Sequence, residues 1–112
     1  MSETADGFRI VLTTADGDEL AAKLARELVE RGLAACVNIL GPLRSVYRWQ
    51  GEIVCEEERL LLIKTRSEAL ERLEQAIREL HTYDVPEIVH LSVSGGDPRY
   101  LSWLESSLGR QG

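Results

Sequence analysis

Leu33 to Arg66 carries the longest extended pattern in the chain. Leu33 to Trp49 is rich in apolar and β-branched residues and is interrupted only by Gly41-Pro42, and Glu52 to Arg66 begins with acids and ends on Leu60-Leu61-Leu62-Ile63. Gln50-Gly51 lies between the two runs, and Gly at the second loop position tolerates the positive φ of a two-residue hairpin turn. Two strands of about fifteen residues predict a hairpin roughly 50 Å long. A compact domain of this size is only about 35 Å across. Such a hairpin overreaches its own domain, and the simplest cover for its far end is another copy of the chain.

The flanking patterns predict the rest. Phe8 to Thr14 reads as a short central strand. Asp16, Asp18 and Glu19 then supply acceptors and negative charge where a helix begins. Leu20, Ala21, Leu24, Ala25 and Leu28 recur at helical spacing before Gly32 stops them. After the hairpin, Ser67 is expected to cap a helix with the stripe Leu70, Leu73, Ile77 and Leu80. Val85-Pro86 leads into a strand over Glu87 to Val93, and Asp97-Pro98 opens a last helix to Leu108, followed by a fraying 109–112. The order β-α-β-β-α-β with a long central hairpin and an extra C-terminal helix predicts an α+β, ferredoxin-like fold, one domain over 1–112 with its core at about 8–108. Val37, Ile39, Leu61 and Ile63 are apolar, but so are the alternate residues Ala34, Cys36, Leu60 and Leu62. Both sheet faces are therefore greasy, which again favours an oligomer.

Composition narrows the function. The formal charge of −6 argues against nucleic acid and anionic membranes as partners. No apolar run approaches a membrane span, and Met1 to Gly7 lacks the features of a signal peptide, so the cytoplasm is the expected location. Cys36 and Cys55 fall on opposite arms, with Cys55 expected opposite Val46 and Cys36 near Thr65. A disulfide across that separation is excluded, and free thiols suit a reducing compartment.

Several segments together resemble the CutA family of divalent-ion tolerance proteins. They are Leu28-Val29-Glu30, Leu33 to Asn38, Ser45 to Gly51, Glu58 with Leu62 to Thr65, His81 to Ile88, and Tyr100 to Trp103. The resemblance spans about residues 8 to 104, with one departure at Thr82, where the family usually has Pro. It implies a homotrimer of PII-like architecture and a role in tolerance of divalent metals, copper especially.

The candidate chemistry divides between bland and sharp readings. Cys36 is a buried small hydrophobe with a raised pKa, or a copper ligand that needs His81 or a neighbouring subunit as second donor. His81 is a capping histidine, or a metal ligand or proton-transfer group in a cleft with Tyr83 and Glu87. His90 reads as structural. Strand alternation points Glu57 away from Glu56 and Glu58, so the three form a solvated, edge-blunting run from which the motif residue Glu58 stands apart. Lys64 needs a partner or a polar cleft, and is either structural or the holder of an anion between subunits. Trp49 and Tyr47 are interface candidates, whereas Tyr100 and Trp103 are expected to pack. Ser94 to Asp97 is a weak anion cradle, because Asp97 would fill the cap itself.

Three functions follow in order. The first is a cytoplasmic trimer that binds Cu²⁺ or another divalent cation, with Cys36 and His81 as ligands. The second is a PII-like sensor holding a small anionic ligand between subunits through Lys64, His81, Tyr83, Glu87, Tyr100 and Glu58. The third is an enzyme built on Cys36 and His81, which ranks last because the sequence shows neither the two side chains in reach of each other nor a third group that orients the histidine.

Overall fold

The computed structural model describes residues 7 to 109. Its elements run β1 (Phe8–Ala15), α1 (Asp18–Glu30), β2 (Cys36–Trp49), β3 (Glu52–Arg66), a short 3-10 turn (Ser67–Ala69), α2 (Leu70–Leu80), β4 (Val89–Ser92) and α3 (Pro98–Ser106). The strands form one antiparallel sheet in the order β2-β3-β1-β4, which is the expected ferredoxin-like arrangement.

Strand alternation splits the sheet into two faces. Val11, Ala15, Leu61 and Ile63 point to one face and meet Ala21, Leu24 and Leu28 of α1 and Leu73, Ala76 and Ile77 of α2. These buried residues are the apolar stripes of the two helices, so the helical periodicity located the core. Ile10, Leu12, Leu60, Leu62 and Lys64 alternate onto the opposite, open face. There α3 covers only one end, where Leu101 and Leu104 pack on Phe8.

The hairpin turns at Gln50-Gly51, with positive φ at both residues. β3 pairs with β1 only from Arg59 onward, so the hairpin beyond that point is a two-stranded arm. The molecule measures 48 × 30 × 23 Å, in keeping with the expected reach of that arm.

Some local expectations change. Cys55 does face Val46, but Cys36 faces Lys64 rather than Thr65. The cause is a bulge: Leu40 pairs with Leu60 and Leu43 with Glu58, which leaves Gly41 and Pro42 against Arg59 alone. Gly41 sits at φ 139, and a Cβ there would meet the Arg59 side chain at 2.8 Å and the Glu58 carbonyl at 3.1 Å. The extra residue also changes which side chains share a face. It puts Leu43, Ser45, Tyr47 and Trp49 on the open face beside Glu56 and Glu58.

Leu33 and Ala34 are buried but precede the strand, held by Thr65 Oγ1 donating to the Leu33 carbonyl at 2.8 Å. Ser67 does not cap α2 with its side chain, and its backbone N–H instead donates to the Gly7 carbonyl. Asp97 does cap α3, accepting from the Arg99 amide at 3.1 Å. Gly109 is tied to the Gly32 carbonyl, and the rest of the expected fraying segment, 110–112, lies outside the described residues.

Candidate functional site

The bulge and the segment after α2 together build a groove. Its floor is the open face of the hairpin arm, with Ser45, Tyr47, Trp49, Val54, Glu56 and Glu58, and its wall is the segment from Tyr83 to Glu87. The space enclosed is about 800 Å³. Expected cleft residues Glu58, Tyr83 and Glu87 thus share one cavity. The sequence did not single out Asp84 as a member, and it read Glu56 only as solvated edge. The alternation pairing Glu56 with Glu58 was the available signal for one, and the position of Asp84 between Tyr83 and Glu87 for the other.

Glu58 departs from the solvated reading of its acidic run, being only 4% exposed. Its Oε2 accepts from the Tyr83 hydroxyl at 2.5 Å, and Glu56 Oε1 accepts from the Tyr47 hydroxyl at 2.8 Å. Glu57 points the other way, where the Arg59 guanidinium lies 3.8 Å from it and also binds Asp18 at 2.6 Å.

Burial first, and then the Glu58 carboxylate, push the Tyr83 phenol well above the usual tyrosine range. A raised folded value means that this contact stabilises the fold fully below the unfolded tyrosine value of about 10. The contribution is lost as pH rises through the folded value. Phenolate absorbance during an alkaline titration should therefore show late ionisation, of which Tyr83→Phe removes one equivalent. An unchanged late phase in that variant would disprove the contact.

His81 lies beneath Tyr83, 9% exposed, with ring centroids 4.5 Å apart. Its Nδ1 accepts from the Tyr83 amide at 3.1 Å, and its Nε2 lies 2.6 Å from the Thr14 carbonyl. An amide can only donate and a carbonyl only accept, so Nδ1 is the bare nitrogen and Nε2 carries the proton. Thr14 stands two residues past the last β1–β4 pair, Leu12 with Val89. The ring thus extends the hydrogen bonding of β1 where β4 stops, which also explains why β4 starts at Val89 rather than Glu87.

This geometry does not fit a copper site made by Cys36 and His81. Neither imidazole nitrogen offers a free lone pair, since one accepts a hydrogen bond and the other is protonated. Cys36 lies across from Lys64, four residues along the sheet from the Thr14 level and two strands over, a separation of about 15 Å. The same distance denies the pair a nucleophile–base contact within one chain. Cys36 is also half-buried rather than buried, because it projects from the open face. Among the described residues no three His, Cys, Asp or Glu side chains converge as a metal centre.

Lys64 and Tyr100 stand apart from the groove. The Lys64 ammonium lies 3.5 Å from the Tyr100 hydroxyl, at the end of the sheet that α3 covers. Tyr100 and Trp103 do not pack into the core: they stack on each other, 5.5 Å apart and about half-exposed, because Leu101 and Leu104 take the inward face of the helix. Trp49, 48% exposed, and Tyr47 stand at the hairpin end of the groove. His90 contacts Glu74 of α2 from β4.

Residues 9–107 match the family model described as CutA1 divalent ion tolerance protein. The chain is 48% identical over 100 residues to a divalent-cation tolerance protein CutA of Thermus thermophilus, covering 89% of this chain and 97% of that one. It is 44% identical to a chloroplastic CutA protein of Arabidopsis thaliana, of which it spans 54%. Among solved structures, the Thermus thermophilus divalent cation tolerance protein aligns with a TM-score of 0.89 at 47% identity, over 91% of this chain and 99% of that one. The CutA1 structure from Oryza sativa aligns with a TM-score of 0.91 at 38% identity, over 96% and 98%. With the sequence match and the fold in agreement along nearly the whole chain, this protein belongs to the CutA divalent-ion tolerance family.

Proposed function

We propose that the chain serves divalent-cation tolerance by binding, as a homotrimer, with the groove between the hairpin arm and Tyr83 to Glu87 as its cation site. The observation that carries this reading is the groove's lining. Its ionisable side chains are Tyr47, Glu56, Glu58, Tyr83, Asp84 and Glu87, carboxylates and phenols without a cationic side chain among them. Such a wall attracts a cation and repels the small anion that a PII-like sensor would hold there. Lys64, which would have to neutralise that anion, is six residues along β3 from Glu58, about 20 Å away. The relatives from Thermus thermophilus and Pectobacterium atrosepticum are named divalent-cation tolerance proteins, which supports the same choice.

One chain offers oxygen donors and no closed cage, so the ion keeps part of its water shell, as hard cations do. Oxygen ligands favour such ions over the soft copper chemistry that Cys36 first suggests. The compartment proposed is the cytoplasm, which suits the two free thiols. Three copies, the assembly the family resemblance implies, would cover the apolar side chains the open face leaves exposed, Leu40, Val89 and Leu91 among them.

Calorimetric titration of the assembled protein with Mn²⁺ and with Cu²⁺ tests the site. Replacing Glu56 and Glu87 together by Gln should weaken binding at least tenfold, about 1.4 kcal/mol, while Cys36→Ser leaves it unchanged. The reverse pattern, with loss in Cys36→Ser alone, would move the site elsewhere and end this reading.

A further inference from the structure

The root of the hairpin arm is held from both faces by two adjacent residues. At Arg59 the third strand ends, since β1 reaches only to Ala15 opposite it. At the same level β2 is interrupted, with Gly41 and Pro42 bulged out between the Leu40–Leu60 and Leu43–Glu58 pairs. A bulge breaks the ladder and lets a strand bend, so the sheet itself fixes the arm's pitch against the body least firmly here. Side chains take over that task.

Glu58 and Arg59 act in opposite directions. Successive residues of a strand point to opposite faces, and each of these two reaches a different part of the body. On the open face Glu58 accepts from the Tyr83 hydroxyl at 2.5 Å, in the segment after α2. On the helix face the Arg59 guanidinium donates to Asp18, the first residue of α1, at 2.6 Å. It also lies 3.8 Å from Glu57, so this one cation joins the arm to the body. Gly41 leaves room for that reach, because a Cβ there would stand 2.8 Å from the Arg59 side chain.

The two stays differ in kind. Glu58 is buried, and its bond to the phenol is shielded from solvent. The Asp18 side chain is 84% exposed. The hydrogen bond from Arg59, and then its charge, hold the Asp18 carboxyl below the usual aspartate range, so the pair is ionised at neutral pH. Exposed ion pairs contribute little to stability and weaken as salt rises, whereas buried contacts are screened much less.

We propose that Glu58–Tyr83 and Arg59–Asp18 are opposed stays that set the pitch of the arm, and that the exposed one makes this pitch respond to ionic strength. The floor of the groove moves with the arm and its wall with the body, so the same motion changes the width of the groove. Loosening Arg59 from Asp18 leaves the Tyr83 stay unopposed, and the arm tilts over the groove. Loosening Glu58 from Tyr83 tilts it the other way, towards the helix face. Neither motion depends on what the groove binds.

Residual dipolar couplings of the backbone amides in the whole protein test this, because they report the direction of the arm relative to the body. Asp18→Asn should rotate the arm amides as a group towards the groove. Tyr83→Phe should rotate them in the opposite sense, which a general loss of stability in the two variants would not produce. In the unmodified protein, raising salt from about 0.1 M to about 1 M cuts the screening length from about 10 Å to about 3 Å. That change should move the arm in the Asp18→Asn sense and leave the Asp18→Asn variant almost still. An arm that keeps one orientation through Asp18→Asn and through the salt change would overturn the proposal. So would rotation in the same sense in both variants, or an equal salt response in the parent and in Asp18→Asn.

Discussion

Trp49→Ala should make the proposed trimer dissociate at micromolar protein, where the parent is expected to stay assembled. The expected rise in the dissociation constant is about thirtyfold or more, the 2 kcal/mol scale of a buried aromatic anchor. The reason lies in where the side chain stands. Beyond Arg59 the hairpin has no third strand, and its open face at Tyr47 and Trp49 meets the groove and solvent. Val46 and Ile53 on the arm's other face are more than 60% exposed as well. An arm with apolar side chains on both sides gains from burial only by meeting another chain, and the indole is its largest apolar surface. Sedimentation equilibrium checks the expectation: the parent should be trimeric, and the variant should shift towards monomer over the same concentrations. A parent that sediments as a monomer, or a variant indistinguishable from the parent, would refute it. Thermal stability should also rise with protein concentration in the parent, because assembly stabilises only the folded chains.

The turn that launches this arm was legible because Gln50-Gly51 is a local signal, and Leu24, Leu28, Leu73 and Ile77 were legible because helical burial repeats every three to four residues. What escaped was non-local. Gly41-Pro42 interrupts the strand visibly, but only the pairing shows that it inserts one residue and moves Cys36 from Thr65 to Lys64. Leu33 and Ala34 are as apolar as strand residues, yet their burial comes from packing before the strand begins. On α3, aromatic size suggested that Tyr100 and Trp103 would pack, but Leu101 and Leu104 occupy the inward positions.

The site shows the same division. Family motifs named Glu58, Tyr83, His81, Glu87, Lys64 and Tyr100 as a group, since motifs mark residues and not places. In the folded chain the group divides in two. The path of the chain after α2 brings Tyr83 and Glu87 against the arm at Glu58, while α3 carries Tyr100 to Lys64 at the other end of β3. Alternation along β3 foretold that Glu56 and Glu58 would share a face apart from Glu57, but not that Tyr83 would bury one of them.

His81→Ala should be the most destabilising single change at the site, about 3 kcal/mol at fixed protein concentration. The imidazole bridges two backbone groups: the Thr14 carbonyl beyond the end of β4, and the Tyr83 amide at the start of the groove wall. Leaving a buried polar group unpaired costs about 1–3 kcal/mol, and the vacated ring space adds a cavity term. The groove should suffer along with the fold, because the Tyr83 amide and the Tyr83 hydroxyl hold the same residue from opposite ends. His81→Asn, which keeps a donor and an acceptor on a shorter side chain, should recover part of the loss. Urea unfolding of the parent and both variants measures the ranking, with parent above Asn above Ala. If His81 were a metal ligand and not a bridge, the metal-free variants would unfold together with the metal-free parent. Equal midpoints in the presence of a chelator would therefore reject the structural role, whereas the expected gap would persist with or without metal.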